Sequence, residues 1–269
     1  MSSPPHKLHV DDLRLTYRNA QTGRLTAALE GVRFAVRDRE FVSIVGPSGC
    51  GKTTLLSCLA GLIAPTSGTI QMDGIAVSGA DPSRAMVFQS PTLLPWATVR
   101  RNVAYGLTLQ GKTGIEHATR VADLVKLVGL EGFEDHYPHE LSGGMQQRVN
   151  LARALAVEPD VLLMDEPFAA LDAQTRDVMQ TELLRVWEHE RRTVIFVTHQ
   201  IDEAVYLSDR VLVMSRRPAA VQTSVPIEIE RPRPVTVKRT PAFHAYVDGI
   251  WDMITSRDDP AEAAAPPRP

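Results

Sequence analysis

The run Gly46-Pro47-Ser48-Gly49-Cys50-Gly51-Lys52-Thr53-Thr54 places three glycines, a lysine and a hydroxyl residue at the spacing G-x-x-x-x-G-K-[ST]. Glycines let the backbone turn sharply and aim successive N–H groups at one point, which suits phosphate oxygens. The run follows a β-rich stretch, Phe41–Val45, and opens the helix-like TTLLSCLAGL, so a helix N-terminus adds partial positive charge at the same place. Lys52 is expected to reach the β- and γ-phosphates of a nucleotide, and Thr53 to offer its hydroxyl to magnesium. Cys50 needs no thiol chemistry there, although modification of it would block the loop.

A second feature is Val161-Leu-Leu-Met-Asp-Glu-Pro167, an apolar strand that ends in two carboxylates. Asp165 fits the acidic residue that holds magnesium in phosphate-loop proteins. Glu166 is then placed to polarise a water beside the γ-phosphate.

Leu141-Ser-Gly-Gly-Met-Gln-Gln-Arg-Val149 resembles the signature sequence of the ABC ATPases, with Met145 where the family usually has glutamine. A Ser-Gly-Gly turn at a helix start is another anion site. The resemblance implies a head-to-tail pair of chains sandwiching two ATP molecules, with Ser142, Gly143 and Gly144 of one chain facing the phosphate loop of the other. It also implies roles for residues that are weak signals alone. Gln89, in Met86-Val-Phe-Gln-Ser90, matches the glutamine that touches magnesium and the water. Ala170-Leu-Asp172 matches the loop that contacts the partner, with Ala169 where the family often has serine. His199, in Val197-Thr-His-Gln200, matches the switch histidine that senses the γ-phosphate. Tyr17, twenty-nine residues before Gly46, stands where an aromatic stacks on adenine.

These residues must be carried by an α/β framework. Leu8–Tyr17 and Ala28–Val36 read as strands of an antiparallel edge. Val161–Met164, Val194–Val197 and Val211–Met214 are short apolar runs of the kind found in parallel strands covered on both faces. Val225–Glu230 reads as one more strand. Residues from about 90 to 157 contain no convincing strand and three helical stretches, Val99–Leu107, Ile115–Val128 and Gly144–Val157. The resulting expectation is a P-loop NTPase core of the ABC ATPase type, with an N-terminal antiparallel β subdomain and an inserted helical subdomain, over residues 8–257. Residues 1–7 and 258–269 read as disordered ends. Phe243, Tyr246, Ile250, Trp251 and Ile254 recur at helical spacing and read as a packed C-terminal helix.

Composition narrows the function. The net charge of −3 does not suit a protein dominated by phosphate-backbone contacts with nucleic acid. Two cysteines, Cys50 and Cys58, give no disulfide framework and suit a reducing compartment. No signal-peptide pattern opens the chain, and no apolar run approaches the length of a membrane span. A cytoplasmic ATPase reaching the membrane through a partner is expected. A soluble ABC ATPase acting on DNA or ribosomes is the alternative, but such proteins usually bring coiled coils, tandem ATPase domains or basic linkers.

The segment Pro91-Thr-Leu-Leu-Pro-Trp-Ala-Thr-Val-Arg-Arg-Asn-Val103 is similar to the nitrate/sulfonate/taurine importer branch of that family. So are Ile201–Val205, Leu207–Arg210 and Arg231-Pro-Arg233. In that branch the ATPase, a homodimer, works at the inner face of the membrane with permease subunits and a periplasmic or lipid-anchored binding protein. The permease would dock beside Gln89, where Pro95 and Trp96 offer either an apolar contact or core packing. The transported substrate is recognised by those partners.

Overall fold

A computed structural model describes residues 6–112, 114–169 and 171–255. Two sheets and a group of helices make up the chain. The first sheet is antiparallel, in the order β2-β1-β4-β5. It is built from β1 (His6–Arg18), β2 (Leu25–Arg37), β4 (Ser67–Met72) and β5 (Ile75–Ala76). Alternation of buried and exposed residues along β1 (Leu8, Val10, Leu13 and Leu15 inward) gives it one dry and one wet face.

The second sheet has six strands in the order β10-β9-β3-β8-β7-β6. Its members are β3 (Phe41–Val45), β6 (Arg84–Val87), β7 (Val161–Asp165), β8 (Thr193–Val197), β9 (Arg210–Met214) and β10 (Val221–Pro226). All neighbours in this sheet are parallel except β10, which runs antiparallel to β9. Every residue of β3, β7 and β8 is buried, because helices or the other sheet cover both faces. On one side lies the cluster that includes Leu8, Val42, Leu55 and Leu163. On the other lies the cluster of Phe41, Met164, Leu183 and Phe196.

Helices α1 (Lys52–Leu59), α5 (Ala173–Glu190), α6 (Ile201–Leu207) and α7 (Pro241–Thr255) flank the sheets. Between β6 and β7 run α2 (Val99–Leu109), α3 (Ile115–Leu127) and α4 (Gly143–Ala156). Their apolar stripes meet through Val103, Leu107, Val121, Leu124 and Val149, all buried. Starts are capped: Thr98 accepts from Arg101 N–H, Ser142 from Met145 N–H and Asp172 from Thr175 N–H. Among the described residues no helix is long and apolar enough to cross a membrane.

Several sequence expectations shift. The strand read at Val225–Glu230 is β10, Val221–Pro226. Past Pro226 the carbonyls of Ile227 and Ile229 accept from the Arg233 guanidinium instead of a neighbouring strand. The C-terminal helix packs through Phe243 and Ile250, but Trp251, one position round the helix, is 59% exposed. Trp96 is no core residue, being 72% exposed. The strands β4 and β6 and the long helix α5 carry too weak a pattern to stand out by periodicity. The expected disordered tail, 258–269, and residues 1–5 lie outside the described residues, whereas His6 and Lys7, expected in the disordered end, open β1, and Lys7 Nζ donates to Asp73 Oδ2 at 2.7 Å.

Candidate functional site

The loop 46–51 leaves the carboxyl end of β3 and enters α1. Gly49 and Gly51 take φ of +70° and +130°, values that disfavour any side chain. A Cβ at Gly51 would also sit 3.1 Å from the Ala28 carbonyl oxygen. Lys52 folds back over the loop and donates to the carbonyls of Gly46 at 2.9 Å and Pro47 at 3.1 Å. It is 6% exposed, and among the described residues no carboxylate pairs with it. A buried ammonium held only by neutral carbonyls, beside a helix N-terminus, leaves net positive potential in the loop. That arrangement fits a phosphate chain. Ser48 and Gly49 are exposed, Pro47 and Thr54 half-buried and Cys50 buried. Burial, opposed by Lys52, pushes the Cys50 thiol up, so the loop cysteine is a poor nucleophile.

Asp165 closes β7 and accepts from Thr53 Oγ1 at 3.1 Å. It is 6% exposed and has no cationic partner within ion-pair distance among the described residues. Burial, with help from the neighbouring Glu166 charge, raises its pKa against the opposing pull of Thr53 and Lys52. Two hard oxygen donors, one an undercompensated buried carboxylate, fit a divalent cation such as magnesium.

Glu166 then turns out of the strand with φ of +44°, a left-handed conformation that is costly for a residue with a side chain. The turn is held by Glu166 N–H donating to Val197 O at 2.9 Å and Ala169 N–H donating to Glu166 O at 3.1 Å. Strand β8 lies next to β7 with Val197 opposite Asp165, so the residues after each strand meet. His199 Nδ1 lies 2.8 Å from Glu166 Oε2. With the carboxylate as acceptor, Nδ1–H donates and Nε2 is free to face a ligand.

Tyr17 reaches the same loop from β1, its hydroxyl 3.3 Å from Thr54 Oγ1. Its ring is 39% exposed, which leaves a face for a base. Gln89 lies two residues past β6, at the carboxyl end of the same sheet; it is exposed, and among the described residues it has no hydrogen-bond partner. Ser142, Gly143 and Gly144 open α4. They are not brought to this chain's own phosphate loop: Gly144 packs against the start of α5, where a Cβ would meet Thr175 Cγ2 at 3.0 Å. Ala170 lies outside the described residues, whereas Asp172 caps α5.

Two residues outside these motifs bond to the loops that carry Glu166 and His199. Arg176 donates to the carbonyls of Phe168 and Leu171 and to Gln200 Oε1, tying together the loops that follow β7 and β8. Glu203 accepts from Thr198 Oγ1 at 2.5 Å. Glu203 sits in a stretch of importer-like sequence, but nothing in its local pattern marks it as buried.

Known proteins resemble the chain in sequence and shape. The profile of the ABC transporter family matches residues 29–169. An uncharacterized ABC transporter ATP-binding protein of Methanocaldococcus jannaschii is 52% identical, the match covering 84% of each chain. A nitrate import ATP-binding protein of Synechocystis sp. is 45% identical over 86% of this chain and 89% of its own. A taurine import ATP-binding protein of Rhizobium johnstonii is 44% identical over 91% and 95%. Among solved structures, a dimeric ATP-binding cassette in a post-hydrolysis state, bound to ADP and Pi, superposes with a TM-score of 0.72. It is 31% identical and covers 83% of this chain and 100% of its own.

Proposed function

The chain belongs to the ABC transporter family as an ATP-binding, ATP-hydrolysing subunit, and from that premise we propose that it powers an importer of small anions. The observation that carries the catalytic reading is the convergence of Lys52, Thr53–Asp165 and Glu166–His199 at the carboxyl ends of β3, β7 and β8. Ligands of open parallel sheets bind at such strand ends.

ATP is the substrate. Its phosphates fit the loop from Gly46 to Thr54, and the base fits the open face of Tyr17. Lys52 sets its charge against the γ-phosphate, where negative charge shifts during transfer. Glu166 takes a proton from the attacking water as the bond to phosphorus forms and ADP leaves. His199 holds the Glu166 carboxylate in place and offers Nε2 to the γ-phosphate. Thr53, Asp165 and Gln89 would hold magnesium, which supplies charge neutralisation on the phosphate oxygens when bound.

At the Ser142-Gly143-Gly144 turn Ser142 and Gly143 are exposed and have no phosphate partner in their own chain, which favours their use by a second copy arranged head to tail. ATP then holds two copies closed, and loss of the γ-phosphate lets them part. The dimeric state of the ADP- and Pi-bound cassette is in keeping with this. Residues about 90–157 act as a helical subdomain of the 8–257 ATPase domain. The exposed Trp96 and the segment after Gln89 form the docking face for a membrane permease, so that the chain works at the cytoplasmic face of the membrane. A binding protein beyond the permease selects the cargo. The relatives named for nitrate and taurine import point to a small inorganic or sulfonate anion.

The test is Glu166→Gln. We expect ATP binding to persist, turnover to fall by about two to four orders of magnitude, and a stable ATP-dependent dimer to appear on sedimentation. Hydrolysis at the normal rate would remove Glu166 from its role.

A further inference from the structure

Behind His199 lies a buried polar chain that the motifs do not account for. Glu203, in the first turn of α6, is 3% exposed. One oxygen accepts from Thr198 Oγ1 at 2.5 Å, and the other from Gln180 Nε2 at 3.0 Å, with Arg176 Nε 3.7 Å away. Gln200 N–H donates to Thr198 Oγ1 at 3.0 Å, and as the Glu203 carboxylate only accepts, the Thr198 hydroxyl donates to it. At the far end Lys238 Nζ donates to Gln180 Oε1 at 2.7 Å and to Asp177 Oδ1 at 2.6 Å. Lysine has no acceptor, so Lys238 fixes which way the Gln180 amide points. Thr198 and Gln180 therefore both direct a hydrogen at the Glu203 carboxylate.

Burying that carboxylate is unfavourable, and apolar residues of similar volume would often stabilise a core as well or better. What the arrangement provides is geometry. Thr198 is the residue before His199, and Arg176 ties Gln200 to the carbonyls of Phe168 and Leu171 on the Glu166 loop.

We propose that Glu203 is a positioning residue for hydrolysis. Its carboxylate holds the Thr198–Gln200 segment so that His199 stays against Glu166, and Lys238 keeps the Gln180 amide in the orientation Glu203 requires. The C-terminal turn Val235–Arg239 is thereby wired to the reacting end of the sheet. This rests on the reading of Glu166 and His199 as the hydrolytic pair.

The arrangement makes an unusual demand on substitutions. Glu203→Gln keeps size and shape but either sets its N–H₂ group against the Gln180 amide hydrogens or leaves the Thr198 hydroxyl hydrogen without its acceptor, and Gln180 cannot turn over while Lys238 holds its oxygen. Adding Lys238→Met releases that hold, lets the Gln180 amide flip and restores a complete donor–acceptor chain.

The experiment is steady-state ATP turnover and nucleotide affinity of the full chain for both variants, with His199→Ala alongside. Glu203→Gln should lower kcat by about ten- to a hundredfold, the scale of a misplaced catalytic group, with ATP affinity unchanged. The double variant should recover most of that loss. A merely structural role would lower turnover and affinity together, and the second substitution would deepen the damage; either result overturns the proposal. Normal kcat in Glu203→Gln, with His199→Ala inactive, also overturns it and leaves the reading of the site intact. Normal turnover in His199→Ala would instead bring down the site reading on which the proposal rests.

Discussion

Replacing Lys52 by methionine separates its two roles, one in the fold and one toward ATP. In the free chain its Nζ makes two hydrogen bonds to neutral carbonyls and is buried with no carboxylate within ion-pair distance among the described residues. Hydrogen bonds of a charged donor contribute about 1.5–3 kcal/mol each way, but desolvating an unpaired ammonium costs several kcal/mol. The two nearly cancel, and methionine fills the stem's space, so stability should change by no more than about 1 kcal/mol. With ATP present the balance differs, because phosphate supplies the missing anion. Losing that charge-assisted contact should cost about 1.5–3 kcal/mol, or roughly ten- to 150-fold in affinity. Thermal unfolding with and without ATP, beside a fluorescent-nucleotide titration, reads both quantities. Expected are a near-normal midpoint without nucleotide and a much reduced shift with it. Unchanged ATP affinity would refute the phosphate-loop account. A collapse of stability with affinity preserved would make Lys52 a structural residue.

Further outcomes can be checked on the same preparation. Tyr17→Ala should weaken ATP by about 1–3 kcal/mol, the worth of a base–aromatic stack, while leaving tripolyphosphate affinity unchanged; equal weakening of both would assign Tyr17 to loop support through Thr54. For Asp165, burial first and Glu166 second raise the folded-state pKa, so its ionised form destabilises the free fold above that pKa and the penalty fades as pH falls toward the unfolded value. Asp165→Asn should therefore unfold at a higher temperature than the natural chain at pH 7–8 without magnesium, the gap closing in acid; a lower midpoint throughout would contradict the assigned cause. Trp96→Ala removes a ring that is 72% exposed, and should leave folding and basal turnover unchanged while abolishing permease capture. Destabilisation instead would give Trp96 a packing role.

The chemistry was more legible in sequence than the geometry that organises it. Gly46–Thr54 announces itself because backbone direction, charge and hydroxyl all lie within nine consecutive residues. The Glu166–His199 contact spans thirty-three residues. It depends on β7 and β8 being neighbours, and strand order is a property of the whole sheet rather than of either run. Val225–Glu230 alternates well enough to read as a strand, while the competitor for its carbonyls, Arg233, acts only in three dimensions. Glu203 is hidden in the sequence for a similar reason. In Ile201-Asp-Glu-Ala-Val205 it has the look of a solvated first-turn acid, as Asp202 is. It is buried because α5 and the C-terminal turn close over α6.

The most direct measurement is capture of the tagged chain from gently solubilised native membranes, followed by identification of what accompanies it. Expected is a polytopic permease together with a periplasmic or lipid-anchored binding protein, whose ligand is a small anion such as a sulfonate or nitrate. Ribosomal or DNA-repair partners in place of a permease would leave the ATP chemistry standing and contradict the transport role.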